Sequence, residues 1–398
     1  MNILFLLRGT GIGGLEVVTS VLANKFVKEG HHVDVFIFRK EEGNSIVERF
    51  DKDVKVCQQN DYRITKDNVR VLRQILIKDK INFIINQWGL PLVPIMVARR
   101  ASKGLGVKII SVYHNAPSSN GRIQAIDIKL SKTENPLKRI SLRIIRYMFK
   151  CVTSRSMAYI YHQSDRFVVL SKGFIPEFQK FTQLRDLSKL CVITNPITID
   201  SNHYIYNPEE KVKEIIYVGR LDFVQKRVYR VIDTWNLLEN HYQDWKLTIV
   251  GDGPDRSNLE NHVKALNLKH VYFEGFQNPV PYYRRASILM LTSDFEGFPL
   301  VLAEAMSLGV VPVVYDSFVA VRDILDNGKN GVIVPKVHND FSAELMAKGL
   351  EKAIEDCEKN HDMALAAIEE SKRYSLDEIY SRWLKFFDDI RNDKLIPN

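Results

Sequence analysis

The feature that most constrains this chain is an alternation of short apolar strands with amphipathic helices, which begins at the first residues and begins again near residue 214. The first run of predicted strands covers residues 3–7, 33–38, 83–86, 108–113 and 166–170. The second run covers residues 214–218, 246–250, 271–274, 288–291 and 310–314. Such a pattern is typical of parallel sheets that are covered by helices on both faces. The sequence therefore predicts an α/β protein with two doubly wound, Rossmann-like parallel-sheet domains that face a central cleft.

A turn-rich stretch separates the two runs. Residues 194–210 contain two Asn-Pro pairs, which are strong turn signals. We expect one domain at residues 1–200, a second at 201–375, and a carboxyl-terminal helix within 376–398. An apolar stripe on this helix predicts that it packs back on the first domain or, alternatively, within the second. The stripe is formed by Ile379, Trp383, Phe386, Phe387 and Ile390.

Charge is divided unevenly along the chain. Residues 1–200 carry 32 Lys and Arg against 17 Asp and Glu, a net charge of +15, whereas residues 201–398 carry 24 against 31, a net charge of −7. A strongly basic first half predicts an anionic partner. The charge alone leaves open whether that partner is nucleic acid, an acidic membrane or a phosphorylated acceptor.

Two further features indicate the cellular compartment. The four cysteines lie far apart, with no C-x-x-C pair and no histidine at metal-ligand spacing, which indicates reduced cytosolic thiols. No apolar run approaches the roughly 18 residues that span a bilayer, and the first residues lack the basic segment of a signal peptide. We expect a cytoplasmic protein that is soluble or attached peripherally to the inner face of the membrane.

A glycine-rich loop, residues 9–14 (GTGIGG), follows the first predicted strand and leads directly into a helix. It fits the G-x-G-x-x-G fingerprint, so an NAD(P)-dependent oxidoreductase is one alternative function. That function also needs an acidic residue at the end of the second strand, where Arg39 and Lys40 stand instead and would suit a 2′-phosphate. The loop itself predicts backbone N–H groups at a helix N-terminus, which suit any phosphate or anionic sugar.

Cations follow the first strand of the second run. Arg220 comes directly after that strand, between Gly219 and Leu221, and Lys226 follows a short loop later. Because open α/β sheets bind ligands beyond the carboxyl ends of their strands, these cations stand where a phosphate would bind. A tight turn at residues 251–254 (GDGP) ends the next strand and brings backbone to the same edge.

Two glutamates flank a predicted helix start further along. Glu296 precedes Pro299, the predicted first helical residue, and Glu304 follows Glu296 by about two turns. The free N–H groups at the start of this helix can hold a phosphate. Each carboxylate can accept hydrogen bonds from two hydroxyls of a ribose or hexose. This segment therefore predicts a site for a phosphorylated sugar.

Together these motifs resemble the retaining glycosyltransferases of family 4, which have the GT-B fold. The resemblance runs from the glycine-rich loop through Arg220, the turn at 251–254 and the pair Glu296-x7-Glu304 to Asn330-Gly331. It implies a nucleotide-diphosphate sugar, with uridine the expected base, and an acceptor domain that binds a saccharide or lipid-linked saccharide. It also implies that no metal and no cofactor take part, because cationic side chains replace the divalent metal.

The resemblance assigns roles to individual residues. Arg220 and Lys226 would neutralise the donor diphosphate, and Glu304 would hold the ribose hydroxyls. His114, at the end of a predicted strand, would lie near the reacting sugar, so His114 and Glu296 are the expected catalytic residues. The implied donor-binding residues are Gly13, Gly14, Arg220, Lys226, Gly297, Phe298, Pro299, Leu300 and Glu304.

Two positions depart from the family's pattern. Arg227 stands where the family often has glycine, which predicts an altered approach of the phosphate, and residues 321–323 stand where it often has a Pro-Glu pair. A D-x-D sequence at residues 51–53 is expected to be a charged turn rather than a metal site, since no apolar strand leads into it.

The first domain also contains a basic amphipathic segment. Residues 129–155 hold eight basic residues and a single acid, Glu134. We expect a helix that either lies on an anionic membrane leaflet or packs its apolar stripe on the sheet of the first domain. The stripe is formed by Leu137, Ile140, Ile144, Ile145, Met148 and Val152.

The expected function is therefore a retaining, metal-independent transfer of a hexose or N-acetylhexosamine in surface polysaccharide biosynthesis. The leaving diphosphate would take the acceptor proton on the front face, and domain closure would exclude water. The alternatives are the oxidoreductase, which does not explain Glu296 and Glu304, and a basic nucleic-acid-binding protein. Because no nucleic-acid-binding module is recognisable, we expect no nucleic acid partner.

Overall fold

The computed structural model describes residues 1–43, 45–131, 133–201, 203–338 and 340–392. The chain forms two compact units. Unit 1 comprises Met1–Thr198 and Leu376–Asn398, and unit 2 comprises Ile199–Ser375. The boundary at Thr198 lies inside the turn-rich stretch of the sequence.

Unit 1 contains a parallel sheet of seven strands in the order β3-β2-β1-β4-β5-β6-β7. The strands are β1 (Asn2–Gly9), β2 (His32–Arg39), β3 (Lys55–Gln58), β4 (Phe83–Asn86), β5 (Lys108–Tyr113), β6 (Arg166–Val169) and β7 (Leu190–Val192). The helices are α1 (Gly14–Lys28), α2 (Lys66–Lys78), α3 (Leu92–Ala101), α4 (Gly121–Ser131), α5 (Pro136–Gln163) and α6 (Phe174–Thr182). A short 3-10 helix covers Ile46–Arg49.

Unit 2 repeats the pattern with six parallel strands in the order β10-β9-β8-β11-β12-β13. The strands are β8 (Val212–Val218), β9 (Lys246–Val250), β10 (Val271–Gly275), β11 (Ala286–Leu291), β12 (Val311–Tyr315) and β13 (Val332–Val334). The helices are α7 (Tyr229–Asn236), α8 (Arg256–Ala265), α9 (Val280–Arg285), α10 (Leu300–Ser307), α11 (Val321–Ile324), α12 (Ala343–Lys359) and α13 (Asp362–Ser371). Two 3-10 helices cover Pro208–Glu210 and Lys372–Tyr374.

Both sheets are buried on their two faces, which explains the continuous apolar runs in the sequence. In β1, the five residues from Ile3 to Leu7 are all fully buried. Such runs are expected of central parallel strands that helices cover on both sides. The predicted two-domain α/β architecture is confirmed, and each sheet reverses its strand order once, between β1 and β4 in unit 1 and between β8 and β11 in unit 2.

Three strands were not among those predicted: β3, β7 and β13. Each lies at the edge of its sheet, where it pairs with a single neighbour. Two of them contain only three residues. A short edge strand needs little apolar sequence, because one side of it has no strand to pair with.

The last described helix, α14 (Leu376–Arg391), packs in unit 1. Its ring of Phe387 stacks on Phe83 with centroids 4.5 Å apart and lies 5.9 Å from the ring of Phe26. At the helix start, Lys25 in α1 pairs with Asp377 at 2.6 Å. Of the two packing positions considered from the sequence, the structure has the one on the first domain.

Candidate active site

The strand-order reversal in unit 2 brings together the loops that follow β8 and β11. Gly219, after β8, has φ +151°, and Gly251, after β9, has φ +146°. A Cβ atom at Gly251 would lie 1.9 Å from the carbonyl oxygen of Gly219, so only glycine lets these two loops approach. The N–H of Leu221 donates to the carbonyl of Asp252 at 2.9 Å and fixes this contact. This close backbone contact and its hydrogen bond hold the loop that carries Arg220 at the carboxyl edge of the sheet.

Asp222 organises the loop that carries Arg220 and Lys226. Its Oδ1 accepts hydrogen bonds from the backbone N–H groups of Val224, Gln225 and Lys226 at 3.1, 2.6 and 3.1 Å. Burial alone would raise the pKa of Asp222, but these N–H groups and Arg220 outweigh it and hold the pKa below its usual range. Sequence reasoning missed this residue, although an Asp at the start of a short loop, four residues before Lys226, is a recognisable turn signal.

Arg220 is held at its base and accessible at its tip. Its Nε donates to Asp222 Oδ2 at 2.8 Å and its Nη2 donates to Gln225 Oε1 at 3.3 Å. The side chain is nevertheless 62% exposed. A guanidinium that is oriented by one carboxylate and open on its other side can bind a phosphate without losing its support.

Lys226 and Glu296 form an ion pair that the sequence did not reveal. Lys226 Nζ lies 2.6 Å from Glu296 Oε1, and the two side chains are 18% and 8% exposed. The pair joins the loop after β8 to the loop after β11. The structure thus brings two predicted site residues into direct contact with each other, and a bound diphosphate would compete with Glu296 for the ammonium group.

A second ionic cluster joins the same two loops. Asp294 accepts from Arg227 Nε and from Arg230 Nη1, each at 2.6 Å. Arg227 has φ +52°, a left-handed conformation that favours glycine. The departure from the family's glycine at this position is therefore accompanied by an ion pair that holds the strained residue in place.

The amino end of α10 completes this edge. The helix begins at Leu300 with Pro299 at the N-cap, one residue later than predicted, and no side chain caps it. Gly297 and Phe298 precede it and are buried, with the Phe298 ring 5.1 Å from that of Tyr374. The N–H of Leu302 donates to the carbonyl of Pro299 at 2.9 Å, and the N–H groups of Leu300 and Val301 point beyond the uncapped helix start toward a ligand or solvent.

Glu304 lies within α10 and is 5% exposed. The hydroxyl of Tyr283 donates to its Oε2 at 3.4 Å. Burial and the neighbouring Glu304 raise the pKa of Tyr283 well above its usual range, so this hydroxyl stays protonated and able to donate. A carboxylate at this position can accept hydrogen bonds from the hydroxyls of a sugar.

In unit 1, acidic side chains stand at the corresponding edge. Gly13 is the N-cap of α1 and Gly14 is its first residue. A Cβ atom at Gly13 would lie 2.7 Å from Glu16 Oε2, so a carboxylate already stands beside this helix terminus. Burial, and to a lesser degree Glu41, raises the pKa of Glu16. Backbone N–H groups of Glu16 and Gly13 offset that rise in part.

The sequence shows no acidic residue at the end of β2, but Glu41 stands close to that position. It follows two residues after the strand, and its carboxylate lies over the glycine-rich loop. A Cβ atom at Gly9 would lie 2.5 Å from Glu41 Oε1 and one at Gly11 2.7 Å from Oε2. Arg39 Nη2 lies 2.7 Å from Glu41 Oε1, so this carboxylate on the loop is paired with a cation.

His114 follows β5 and is partly buried. Its Nε2 lies 2.8 Å from Gln87 Oε1, while Nδ1 is buried without a partner among the described residues. Burial lowers the pKa of His114 to about 4, so the imidazole is neutral at pH 7. With Nε2–H donating to Gln87, Nδ1 is an acceptor for a hydroxyl.

Within the described ranges, one group of three side chains has the spacing of metal ligands: His32, Asp34 and Asp79. The group lies at the amino end of β2, opposite the carboxyl edge. Lys55 Nζ already lies 2.6 Å from Asp79 Oδ1, so a cationic side chain neutralises the acids there. The D-x-D residues form a turn, in which the N–H of Asp53 donates to Asp51 Oδ1 at 3.0 Å.

Two models of glycosyltransferase families match the chain. The model described as Glycosyltransferase Family 4 matches residues 12–201, and the one described as Glycosyl transferases group 1 matches residues 199–370. The two matches meet at the boundary between the two structural units. No helix in the described part of the chain combines the length and the apolar character needed to cross a bilayer.

Relatives of this chain are also named as glycosyltransferases, two of them matched over nearly their whole length. An uncharacterized glycosyltransferase of Haemophilus influenzae is 25% identical over 95% of this chain and 97% of its own length. A Campylobacter jejuni protein, GalNAc-alpha-(1->4)-GalNAc-alpha-(1->3)-diNAcBac-PP-undecaprenol alpha-1,4-N-acetyl-D-galactosaminyltransferase, is 24% identical over 98% of this chain and 99% of its own. The lipopolysaccharide 1,6-galactosyltransferase of Salmonella typhimurium is 33% identical over 39% of this chain and 45% of its own.

Solved structures share the fold. HepE of Anabaena, solved in complex with UDP-glucose, has a TM-score of 0.73 and 17% identity and covers 98% of this chain and 100% of its own. The lipopolysaccharide outer core galactosyltransferase WaaB has a TM-score of 0.66 and 20% identity over 99% of both chains. Neither the oxidoreductase nor the nucleic-acid-binding alternative finds support in these comparisons. The chain is a glycosyltransferase with the GT-B fold, built from two parallel-sheet α/β units.

Proposed function

We propose that the protein is a retaining, metal-independent glycosyltransferase that takes a hexose or N-acetylhexosamine from a UDP-sugar. The observation that carries this proposal is the placement of Arg220 and Lys226 at the carboxyl edge of the second sheet. Each cation is held by an acid, Asp222 or Glu296, next to the uncapped start of α10. Two cations and a helix terminus are a suitable counter-charge for a leaving diphosphate without a divalent ion.

The donor would bind along this edge. Arg220 and Lys226 would contact the diphosphate, with the backbone from Gly297 to Leu300 beside it. Glu304 would accept the ribose hydroxyls, since its buried carboxylate lies in α10 beside the hydroxyl of Tyr283. Glu296, released from Lys226 by the diphosphate, would turn to the hydroxyls of the donor sugar.

Relatives support the base and the acceptor. HepE was solved with UDP-glucose, and TarM of S. aureus and the pneumococcal transferase GtfA were solved with UDP. The Campylobacter relative is named for an undecaprenol-linked saccharide and an α-linkage. We therefore propose a saccharide or lipid-linked saccharide acceptor, bound by unit 1 at the cytoplasmic face of the membrane, and a role in surface polysaccharide biosynthesis.

In the proposed reaction the bond between the anomeric carbon and the diphosphate breaks while the acceptor hydroxyl attacks from the same face. The hydroxyl proton passes to the departing diphosphate, whose charge Arg220, Lys226 and the start of α10 stabilise. The neutral His114 would accept a hydrogen bond from a sugar hydroxyl through Nδ1. Glu296 would orient the sugar rather than form a covalent intermediate.

Thermal unfolding with EDTA against UDP, GDP, ADP and NADPH tests the donor site. We expect UDP alone to raise the melting temperature of the wild type, and we expect that rise to be lost in Arg220→Ala and Glu304→Ala. Lys213→Ala is the matched control, because this exposed cation of β8 pairs with Asp244 and Glu358 at the strand's opposite end. Stabilisation by NADPH alone, or a UDP effect that requires Mg²⁺, would contradict the proposal.

A further inference from the structure

The first five turns of α5 present an apolar face to solvent. Seven apolar side chains between residues 137 and 152 are 41% to 78% exposed. They are Leu137, Ile140, Ile144, Ile145, Tyr147, Met148 and Val152. The expectation that this stripe packs on the sheet is therefore wrong.

The stripe faces away from the body of unit 1. Leu137, Ile144 and Met148 follow one side of the helix at intervals of seven and four residues. The side chains that the fold partly covers, such as Arg146 and Thr153, lie on the opposite side. This helix thus has its amphipathic pattern inverted relative to a helix that contributes its apolar side to a core.

The helix is anchored independently of whatever covers the stripe. Asn135 caps its start by accepting from the N–H groups of Leu137 and Lys138 at 3.0 and 3.2 Å. Near its end, Ser154 and Ser156 donate to the carbonyls of Phe181 and Leu90 at 2.7 and 2.6 Å. Met157, Ile160 and Tyr161 in the last turns are buried. The apolar face is therefore displayed by a fixed element.

The charge on α5 has one sign. Residues 136–163 include six Lys and Arg and no Asp or Glu. Arg146 pairs with Asp127 of α4, whereas Lys138, Arg139, Arg143 and Arg155 form no ion pair among the described residues. A second copy of this helix would bring like charges together around the apolar contact, which opposes self-association. An apolar surface with negative charges at its rim fits both properties.

We propose that α5 lies flat on an anionic lipid bilayer, with the stripe from Leu137 to Val152 inserted at the headgroup boundary. The stripe is about 22 Å long at 1.5 Å per residue, which is shorter than the roughly 30 Å that a spanning helix needs. Lys138 and Arg143, on the two flanks of the stripe, contact the lipid phosphates. This binding needs no nucleotide and no residue of unit 2, so it succeeds or fails separately from the proposed transfer reaction.

Flotation of the whole protein with vesicles of phosphatidylcholine, with and without phosphatidylglycerol, tests this proposal. We expect binding to the anionic vesicles that falls at least tenfold in Ile144→Glu/Met148→Glu. Ile77→Glu/Leu365→Glu is the matched control, since these two residues are 55% and 53% exposed on other helices, and it should bind as the wild type does. Lys138→Gln/Arg143→Gln should weaken binding about thirtyfold at low salt, because each of the two interfacial cations contributes about 1 kcal/mol.

Several results would overturn the proposal. Equal losses in the test pair and the control pair would show a general effect of added acid. Unchanged binding in Ile144→Glu/Met148→Glu would place the lipid contact elsewhere. Light scattering that shows a wild-type dimer and a monomeric Ile144→Glu/Met148→Glu variant would assign the stripe to a second copy of the chain. All variants change exposed residues, and a melting curve of each variant is the check that it folds.

Discussion

The two units share a strand order but place different charged side chains at corresponding edges. In unit 2, which lies within the acidic half of the chain, Arg220 and Lys226 stand at the carboxyl edge of the sheet. In unit 1, which holds the strongly basic half, Glu16 and Glu41 cover the glycine-rich loop. Each edge combines a cation with an acid, Lys226 with Glu296 in unit 2 and Arg39 with Glu41 in unit 1, so the net charge of each half does not give the charge of its edge.

This difference teaches that net charge and site charge report on different surfaces. The excess cations of the first half are found on helices such as α5, far along the chain from the glycine-rich loop, where they can act on a large anionic surface. The two cations at the edge of unit 2, Arg220 and Lys226, are each held by an acid, and the proposed function assigns them a small ligand. The same fold can therefore present different charged side chains in each unit, because its loops and outer helices differ in sequence.

The largest effect is expected from the Lys226–Glu296 pair in unit 2. Lys226→Met leaves a buried carboxylate unpaired and should lower the free energy of unfolding by about 3–5 kcal/mol. Denaturant unfolding measures this loss, and calorimetric titration with UDP should show at least tenfold weaker binding.

The double variant Lys226→Met/Glu296→Leu separates stability from function. It removes both charges, so we expect it to recover at least half of the lost stability while UDP binding stays weak. If the double variant also restored UDP binding, the cation would not contact the diphosphate, and the contrast between the two edges would lose its functional meaning.

A smaller effect is expected from His114 in unit 1. Its pKa is lowered to about 4 in the folded protein, whereas the unfolded chain titrates near 6.5, so the unfolded state takes up the proton first as the pH falls. Folding stability should decrease between pH 6.5 and pH 4 by up to about 3 kcal/mol. Above pH 6.5 this group should contribute no pH dependence.

Denaturant unfolding of the wild type and His114→Gln at pH 7 and pH 4.5 isolates this contribution. The acid-induced loss should be smaller in the variant, while titration of other groups affects both proteins alike. Identical losses in the two proteins would mean that His114 is protonated at its ordinary pKa in the fold.

The smallest effect on stability is expected from Arg227. Unit 2 has this residue in a left-handed conformation, whereas the loop after the first strand of unit 1 contains glycines. Arg227→Ala loses the ion pair with Asp294 but keeps the left-handed backbone, and should destabilise by about 1–2 kcal/mol. Arg227→Gly loses the same pair but relieves the strain, so it should be more stable than the alanine variant by about 1 kcal/mol. Melting curves of both variants measure the difference.

The central strands of both sheets could be predicted from sequence, because burial on both faces requires runs such as residues 3–7 and 288–291. The edge strands β3, β7 and β13 could not, since they need few apolar residues. The sequence also showed the stripe on α5 but not its direction. Periodicity reveals that a helix has an apolar side, whereas only the tertiary structure reveals which way that side faces.

The predicted residues of the candidate site fall at the expected strand ends, because parallel strands place their loops on one edge. Their partners could not be predicted. The contact between Lys226 and Glu296 spans 70 positions of sequence, and Asp294 links Arg227 and Arg230 across a similar separation. Side-chain pairing between two loops depends on their packed positions, which no local pattern encodes.

Because α14 packs in unit 1, unit 2 can be excised as one segment, whereas unit 1 consists of two separate segments of the chain. Unit 2 is one continuous segment, Ile199–Ser375, inserted into a unit that the chain leaves and rejoins. Excised as that segment, it would keep its own core around Trp235 and Trp245. A truncation after residue 198, by contrast, would uncover Phe26 and Phe83, which Phe387 covers. Exchanging unit 2 between related proteins should therefore use two junctions, near residues 198 and 376, and keep α14 with unit 1.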